Sequence, residues 1–189
     1  MQLHDFSNER SILQQFVSEM RNIETQKDRM RFRKNLERVG EILAYELSRT
    51  LPHTPQTIHT PLGTKPMELP NKDIVVCSIL RAGLPLHQGV LNYFDKAENS
   101  YIAAYRDHGQ DEDAFEIVAN YWAAPSVEGK TVLLCDPMLA TGRTMENVLA
   151  ILKRRGTPRQ IHIISVIGSK EGISYVEKIF PENTHLWIA

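Results

Sequence analysis

The chain has 189 residues, enough to bury a core without disulfides or a structural metal, so we expect one domain over residues 1–189. Its 22 basic residues nearly balance its 23 acidic ones, which argues against broad attraction to nucleic acid or anionic membranes. No stretch approaches the roughly 20 apolar residues of a membrane-spanning helix, and the N-terminus lacks a signal-peptide pattern. We therefore expect a cytoplasmic protein.

Residues 1–50 are predicted to be helical. Apolar residues recur at helical spacing between residues 11 and 48, which indicates two helices. A basic stretch at residues 27–34 lies between them, and Met30 and Phe32 interrupt it. We interpret this stretch as a solvated helix face rather than a nucleic-acid patch.

Residues 51–73 are predicted to form an arm or a loop. Five prolines and Gly63 fall between residues 50 and 71. Because proline breaks helices and cannot donate to a sheet, this segment is expected to hold only short edge strands.

Residues 74–189 are predicted to form a βα core, because short apolar runs alternate there with amphipathic segments. Strands are expected at 74–80, 101–105, 131–135, 161–167 and 186–188, and helices at 84–94, 145–155 and 170–180. A polar insertion at 107–116 leads to a hairpin strand at 117–122. The fold class is therefore α/β: a mainly parallel twisted sheet flanked by helices, with a β-arm and hairpin insertion.

The two cysteines, Cys77 and Cys135, each lie inside an apolar run. We interpret them as reduced thiols packed in strands, rather than as a disulfide or a nucleophile.

A strand, a loop and a helix start follow one another at residues 131–144. Asp136 stands at the carboxyl end of the strand, where ligands of parallel sheets bind. Gly142 allows close approach of backbone amides, the hydroxyls of Thr141 and Thr144 can donate to phosphate oxygens, and the helix dipole favours an anion. The spacing fits neither a Walker A loop nor a dinucleotide motif.

A carboxylate beside a phosphate would repel the ligand unless it met hydroxyl groups, so a sugar diol suits Asp136. A ribose 5-phosphate would supply both the hydroxyl groups for Asp136 and the phosphate for the loop. In the alternative reading, Asp136 and Thr144 merely cap a turn and a helix.

The loop resembles the signature of uracil phosphoribosyltransferases, and it consists of Asp136, Pro137, Met138, Leu139, Ala140, Thr141 and Gly142. Most other phosphoribosyltransferases carry two adjacent acidic residues where this chain has Asp136 and Pro137. Arg143 departs from the family, which commonly has glycine there. Two further strand ends match the same family in order and spacing: residues 78–84, which include Arg81, and residues 105–107, which include Arg106. The resemblance covers about residues 28–189.

The resemblance implies transfer of ribose 5-phosphate from 5-phosphoribosyl-1-pyrophosphate (PRPP) to N1 of uracil, giving UMP and pyrophosphate. It implies that Arg81 and Arg106 contact the pyrophosphate, that Asp136 binds the ribose hydroxyls, and that the loop through Arg143 and Thr144 anchors the 5-phosphate. Mg²⁺ is expected to arrive on the pyrophosphate rather than on protein ligands. PRPP and uracil are the expected partners, with neither nucleic acid nor membrane, and a homo-oligomer is expected.

Members of the family continue past the equivalent of Ala189 with a glycine-rich segment that wraps the base, and nothing in the 189 residues corresponds to it. We expect either a longer polypeptide or a divergent paralogue without a uracil pocket. Three hypotheses stay open: a uracil transferase, a transferase for another base, and a nucleotide-sensing module without turnover. Pyrimidine-responsive RNA-binding relatives typically carry the paired acidic residues that Pro137 interrupts.

Several other polar and aromatic residues are predicted to be structural or solvated rather than chemical. They are His87, His108, His162, His185, Trp122, Trp187 and the acidic run at 111–113.

Overall fold

A computed structural model describes residues 1–108 and 115–189, with side chains described outside residues 104–122. Within these ranges the chain forms eleven β-strands and five α-helices. The strands are β1 (Gln2–Asp5), β2 (His53–Thr60), β3 (Gly63–Pro70), β4 (Ile74–Leu80), β5 (Glu98–His108), β6 (Phe115–Ala123), β7 (Thr131–Cys135), β8 (Met138–Leu139), β9 (Gln160–Ser165), β10 (Ile167–Gly168) and β11 (Thr184–Ile188). The helices are α1 (Ile12–Arg21), α2 (Arg29–Ser48), α3 (Leu84–Leu91), α4 (Arg143–Lys153) and α5 (Lys170–Ile179).

The described part of the main sheet has seven strands in the order β1-β11-β9-β7-β4-β5-β6. All neighbouring strands are parallel except β5 and β6, which pair antiparallel. The central strands β4 and β7 are almost entirely buried, as expected for a parallel sheet covered on both faces. The predicted α/β class with a mainly parallel sheet and a hairpin insertion is confirmed.

The two faces of the sheet carry separate apolar layers. On one face, Leu133 and Cys135 pack with residues of α1, α2 and α3. On the other face, Val132 and Leu134 pack with residues of α4 and α5. The period-two alternation along β7 therefore places a helical layer on each side of the sheet. Cys135, like Cys77, is a buried free thiol, as predicted.

Helices α2 and α3 cross with their backbones in direct contact. A Cβ atom on Gly89 would lie 2.0 Å from the carbonyl oxygen of Glu37, and one on Gly40 would lie 2.4 Å from that of Leu86. Only glycine fits at such distances, so the crossing fixes where α3 sits on the sheet.

The prediction for the proline-rich segment was wrong in one respect. Strands β2 and β3 form an antiparallel hairpin of eight residues each, longer than the short edge strands expected. Pro55 lies opposite Glu68, and Pro66 lies opposite Thr57. A two-stranded hairpin leaves one edge of each strand unpaired, so the missing proline N–H need not interrupt the ladder.

The remaining boundaries differ from the predictions mainly at helix and strand ends. Strands β4 and β7 have the predicted bounds, whereas α3 ends at Leu91 and α4 begins at Arg143, two residues before its predicted start. Strands β1, β8 and β10 were not predicted, because they are short and carry no apolar alternation. The acidic run at 111–113 lies outside the described residues, and among the helices described none is long and apolar enough to cross a membrane.

Candidate active site

The predicted site residues lie on three neighbouring strands of the sheet or directly after them. Ser78 in β4 lies opposite Cys135 in β7, and Leu80 lies opposite Ala103 in β5. Arg81, Asp136 and Arg106 come shortly after these positions, so their backbones share the carboxyl edge of the sheet. Arg106 lies within β5, opposite Ile117 of β6, and its side chain lies outside the described part.

Arg81 stands on an exposed turn between β4 and α3. Its side chain makes no hydrogen bond or ion pair with any residue described, and the peptide bond between Leu80 and Arg81 is cis. The turn is held against β7, because a Cβ atom on Gly83 would lie 2.6 Å from the carbonyl oxygen of Cys135. The residue immediately before Asp136 therefore supports the turn that carries Arg81.

Asp136 is a partly buried carboxylate with few hydrogen-bond donors. Burial raises its pKa to about 6, although a hydrogen bond from the Met138 amide, at 3.4 Å from Oδ1, acts in the opposite direction. No other donor to this carboxylate is seen in the described ranges. Asp136 thus has only this one donor among the residues described, which leaves acceptor capacity for hydroxyl groups of a ligand.

The loop after Asp136 leads into the start of α4. Gly142 has φ +76°, a left-handed conformation that glycine adopts without strain. In the portion of the chain described, the amides of residues 141–144 donate to no protein acceptor, since the first bond of the helix runs from the Met145 amide to the Gly142 carbonyl. Four successive unpaired N–H groups at a helix N-terminus form a binding site for an anion.

The side chains of the predicted loop do not all face solvent. Ala140, Thr141 and Arg143 are exposed, and Met138 and Thr144 are at least partly so. Pro137 and Leu139 are buried and contribute backbone only.

Sequence analysis missed a group of residues that lies behind this loop, at the start of α5. The Ser169 amide donates to the Leu139 carbonyl at 2.9 Å, and its hydroxyl donates to the Ala140 carbonyl. The Tyr175 hydroxyl donates to Glu146, in the first turn of α4, at 2.5 Å. A serine directly before a predicted helix is a typical N-cap residue, so the sequence indicates that Ser169 caps α5. The sequence does not indicate that Ser169 also contacts the loop.

Of the histidines and tryptophans singled out in the sequence, those with described side chains pack against other residues of the protein. His87 is buried and contacts Asn99, with 2.7 Å between Nε2 and Oδ1. Trp187 and His162 are buried together, and His185 stacks on His162 with ring centroids 4.7 Å apart. The side chains of His108 and Trp122 lie outside the described set. Among the residues that the structure describes, no three His, Cys, Asp or Glu side chains converge on a metal position.

Comparison with solved structures identifies the class of fold. The AQ2163 protein from Aquifex aeolicus has a TM-score of 0.85 and 27% sequence identity, covering 98% of this chain and 85% of that chain. A purine phosphoribosyltransferase from Pyrococcus horikoshii has a TM-score of 0.56 and 18% identity, over 81% of this chain and 82% of that chain. With the strand order and the strand-end loop, these likenesses define a phosphoribosyltransferase fold.

Sequence comparison narrows this class to one family. The family model for uracil phosphoribosyltransferase matches residues 7–189. The uracil phosphoribosyltransferase of Porphyromonas gingivalis is 44% identical over 189 residues, which is 100% of this chain and 87% of that protein. The enzyme of the same name from Methanococcus vannielii is 36% identical over 173 residues, 90% of this chain and 72% of its own length. The chain belongs to the uracil phosphoribosyltransferase family, which confirms the resemblance found in the sequence.

Proposed function

We propose that the protein transfers ribose 5-phosphate from PRPP to N1 of uracil, giving UMP and pyrophosphate. The observation that carries the proposal is the segment 136–144, where an under-hydrogen-bonded carboxylate precedes four unpaired amides at a helix start. Membership of the uracil phosphoribosyltransferase family favours uracil as the acceptor over another base, and turnover over sensing alone.

The loop binds the 5-phosphate of the donor. Amides of residues 141–144 donate to its oxygens, and the dipole of α4 adds favourable potential. The hydroxyls of Thr141 and Thr144 supply further donors, and Arg143 supplies a positive charge on an exposed position.

Asp136 accepts hydrogen bonds from the ribose hydroxyls. With a pKa of about 6, the free carboxyl group is mostly ionised at neutral pH, so it is a charged acceptor there. Hydroxyl donors from the sugar replace the donors that the protein does not provide, which both orients the ribose and offsets repulsion from the phosphate.

Arg81 and Arg106 neutralise the departing pyrophosphate. The bond between the anomeric carbon and the pyrophosphate oxygen breaks toward a positively charged, oxocarbenium-like centre, while negative charge accumulates on the leaving group. The exposed guanidinium of Arg81, which pairs with none of the described residues, is available for bidentate contact with that group. Arg106 takes the corresponding place on the neighbouring strand.

Mg²⁺ would be carried by the pyrophosphate of the donor rather than by protein ligands. This cation typically binds through substrate phosphates and one or two carboxylates, and it keeps several waters. The donor phosphates and water would hold the ion, with no all-protein cage needed. When bound, the ion supplies additional positive charge to the leaving group.

Formation of UMP from PRPP and uracil tests the proposal directly. We expect turnover with uracil and little with hypoxanthine, and a large loss of rate in Asp136→Asn. Asp95→Asn is the matched control, because Asp95 is an exposed carboxylate outside the site. Turnover with another base only, or PRPP binding without any turnover, would overturn the assignment in favour of one of the other two hypotheses.

We also propose that the protein forms a homo-oligomer that works in the cytoplasm. The hairpin β2–β3 is largely exposed, with Leu62 fully exposed at its tip, and an isolated two-stranded hairpin is marginally stable in water. A second copy would cover it. The buried free thiols of Cys77 and Cys135 suit a reducing compartment. Sedimentation that shows a monomer at all concentrations would refute the oligomer.

A further inference from the structure

The first turn of α5 lies directly against the backbone of the candidate phosphate loop. A Cβ atom on Gly172 would lie 2.5 Å from the Ala140 carbonyl oxygen and 2.9 Å from that of Leu139. The small parallel pair β8–β10 continues this contact, with Ile167 opposite Met138 and Gly168 opposite Leu139. The loop backbone at Leu139 and Ala140 therefore packs against α5 and β10.

One side chain joins the two segments. The Ser169 hydroxyl caps α5 by accepting a hydrogen bond from the Gly172 amide at 2.9 Å, and it donates its own proton to the Ala140 carbonyl. A serine hydroxyl can donate one hydrogen bond and accept others, and Ser169 does both at once. The cap of α5 and the direction of the Ala140 carbonyl are therefore set by the same atom.

The direction of that carbonyl determines the direction of the next amide. In a planar trans peptide, C=O and the following N–H point in opposite directions, and the bond between Ala140 and Thr141 is not among the cis bonds. Because the Ala140 oxygen points at Ser169, the Thr141 N–H points away from α5, toward the exposed side of the loop. This N–H is the first of the four unpaired amides described above.

We propose that Ser169 is a positioning residue for the 5-phosphate site, acting through the Ala140–Thr141 peptide. Removal of its hydroxyl frees this peptide to rotate, so the Thr141 amide no longer stays aimed at the phosphate. The effect is confined to the 5-phosphate, because the turn that carries Arg81 contacts β7 rather than α5. The inference rests on the proposed function for the identity of the ligand, although it concerns binding rather than turnover.

Binding and kinetics of Ser169→Ala and Ser169→Thr test the proposal. Calorimetry should show about fivefold weaker binding of ribose 5-phosphate to Ser169→Ala, the loss expected for one hydrogen bond, with pyrophosphate binding unchanged. In turnover, KM for PRPP should rise more than kcat falls. Ser169→Thr keeps the hydroxyl and should restore both values.

The matched control is Ser126→Ala. Ser126 also donates to a backbone carbonyl, that of Arg155, and accepts from a backbone amide, that of Glu128, but it lies outside the loop. Its variant should bind ribose 5-phosphate like the wild type. If Ser169→Ala does not fold, Ser169→Cys keeps the volume with a weak donor and should show the same selective loss.

The outcomes separate this inference from the proposed function. Equal losses for ribose 5-phosphate and pyrophosphate, or no loss for either, would overturn the role of Ser169 while leaving uracil transfer intact. If the wild type binds ribose 5-phosphate but makes no UMP, uracil transfer fails and a selective loss in the variant still supports Ser169. A wild type that binds no ribose 5-phosphate would overturn both.

Discussion

Acid is expected to destabilise the fold through one buried histidine. The Trp187 Nε1–H donates to Nδ1 of His162 at 3.1 Å, which places the proton of the neutral imidazole on Nε2. Burial, together with the charges of His185 and His4, lowers the pKa of His162 from 6.5 to about 3. If Nδ1 were protonated, its N–H would face the Nε1–H of Trp187, and two donors would lie together in the core without an acceptor between them.

The sign and size of the effect follow from that pKa. Between pH 6.5 and about 3, the unfolded chain binds a proton that the folded chain refuses, so stability falls as the pH falls. The slope approaches 1.36 kcal/mol for each pH unit once the unfolded imidazole is protonated, so acidification from pH 6.5 to 4.5 costs about 2 kcal/mol of unfolding free energy through His162 alone. The depressed pKa values of His4 and His185, which stack on the same cluster, act in the same direction.

Urea unfolding at a series of pH values measures this contribution. In His162→Asn, an amide oxygen takes the place of the acceptor for Trp187 but does not titrate, so the variant should lose about 2 kcal/mol less than the wild type over this interval. His59→Asn, on the exposed hairpin, is the control and should follow the wild type. Parallel pH profiles for the wild type and His162→Asn would refute the reasoning.

Three further predictions concern the site and its support. Because the pKa of Asp136 is about 6, binding of ribose 5-phosphate should weaken between pH 7.5 and 5. By calorimetry, Asp136→Asn should show a smaller pH dependence than the wild type, namely the part that comes from titration of the ligand's own phosphate. Arg81→Ala and Arg106→Ala should each weaken pyrophosphate binding by about 1.5–3 kcal/mol and spare ribose 5-phosphate; equal losses for both ligands would contradict this division. Gly89→Ala should lower the unfolding free energy by about 1–3 kcal/mol or more, because its methyl group meets the Glu37 carbonyl at 2.0 Å; unchanged urea unfolding would contradict the close crossing.

The sequence predicted best those elements that are buried on every side. Strands β4 and β7 had the predicted bounds because each is a short apolar run closed by a turn. Strand β1 was missed because it is short and polar, and its conformation depends on pairing with β11 at the far end of the chain. Such an edge strand is specified by its partner rather than by its own residues.

The candidate site was predictable to the extent that it is local in sequence. Asp136 and the loop to Thr144 are contiguous, so strand, glycine and helix start could be recognised together. The contact between Ser169 and Ala140 joins residues 29 positions apart, and no spacing rule reveals it. Burial of Leu139 within the loop likewise emerges only from the packing of β8.

The crossing at Gly40 and Gly89 makes the N-terminal helices and the βα core interdependent in any chimera. Helix α2 belongs to the N-terminal helices, whereas α3 begins three residues after Arg81, and their backbones touch without intervening side chains. An N-terminal segment taken from a relative with a larger residue at position 40 would push α3 outward, and the Arg81 turn would move with it. Exchanges between relatives are therefore expected to retain activity when both glycines are transferred as a pair.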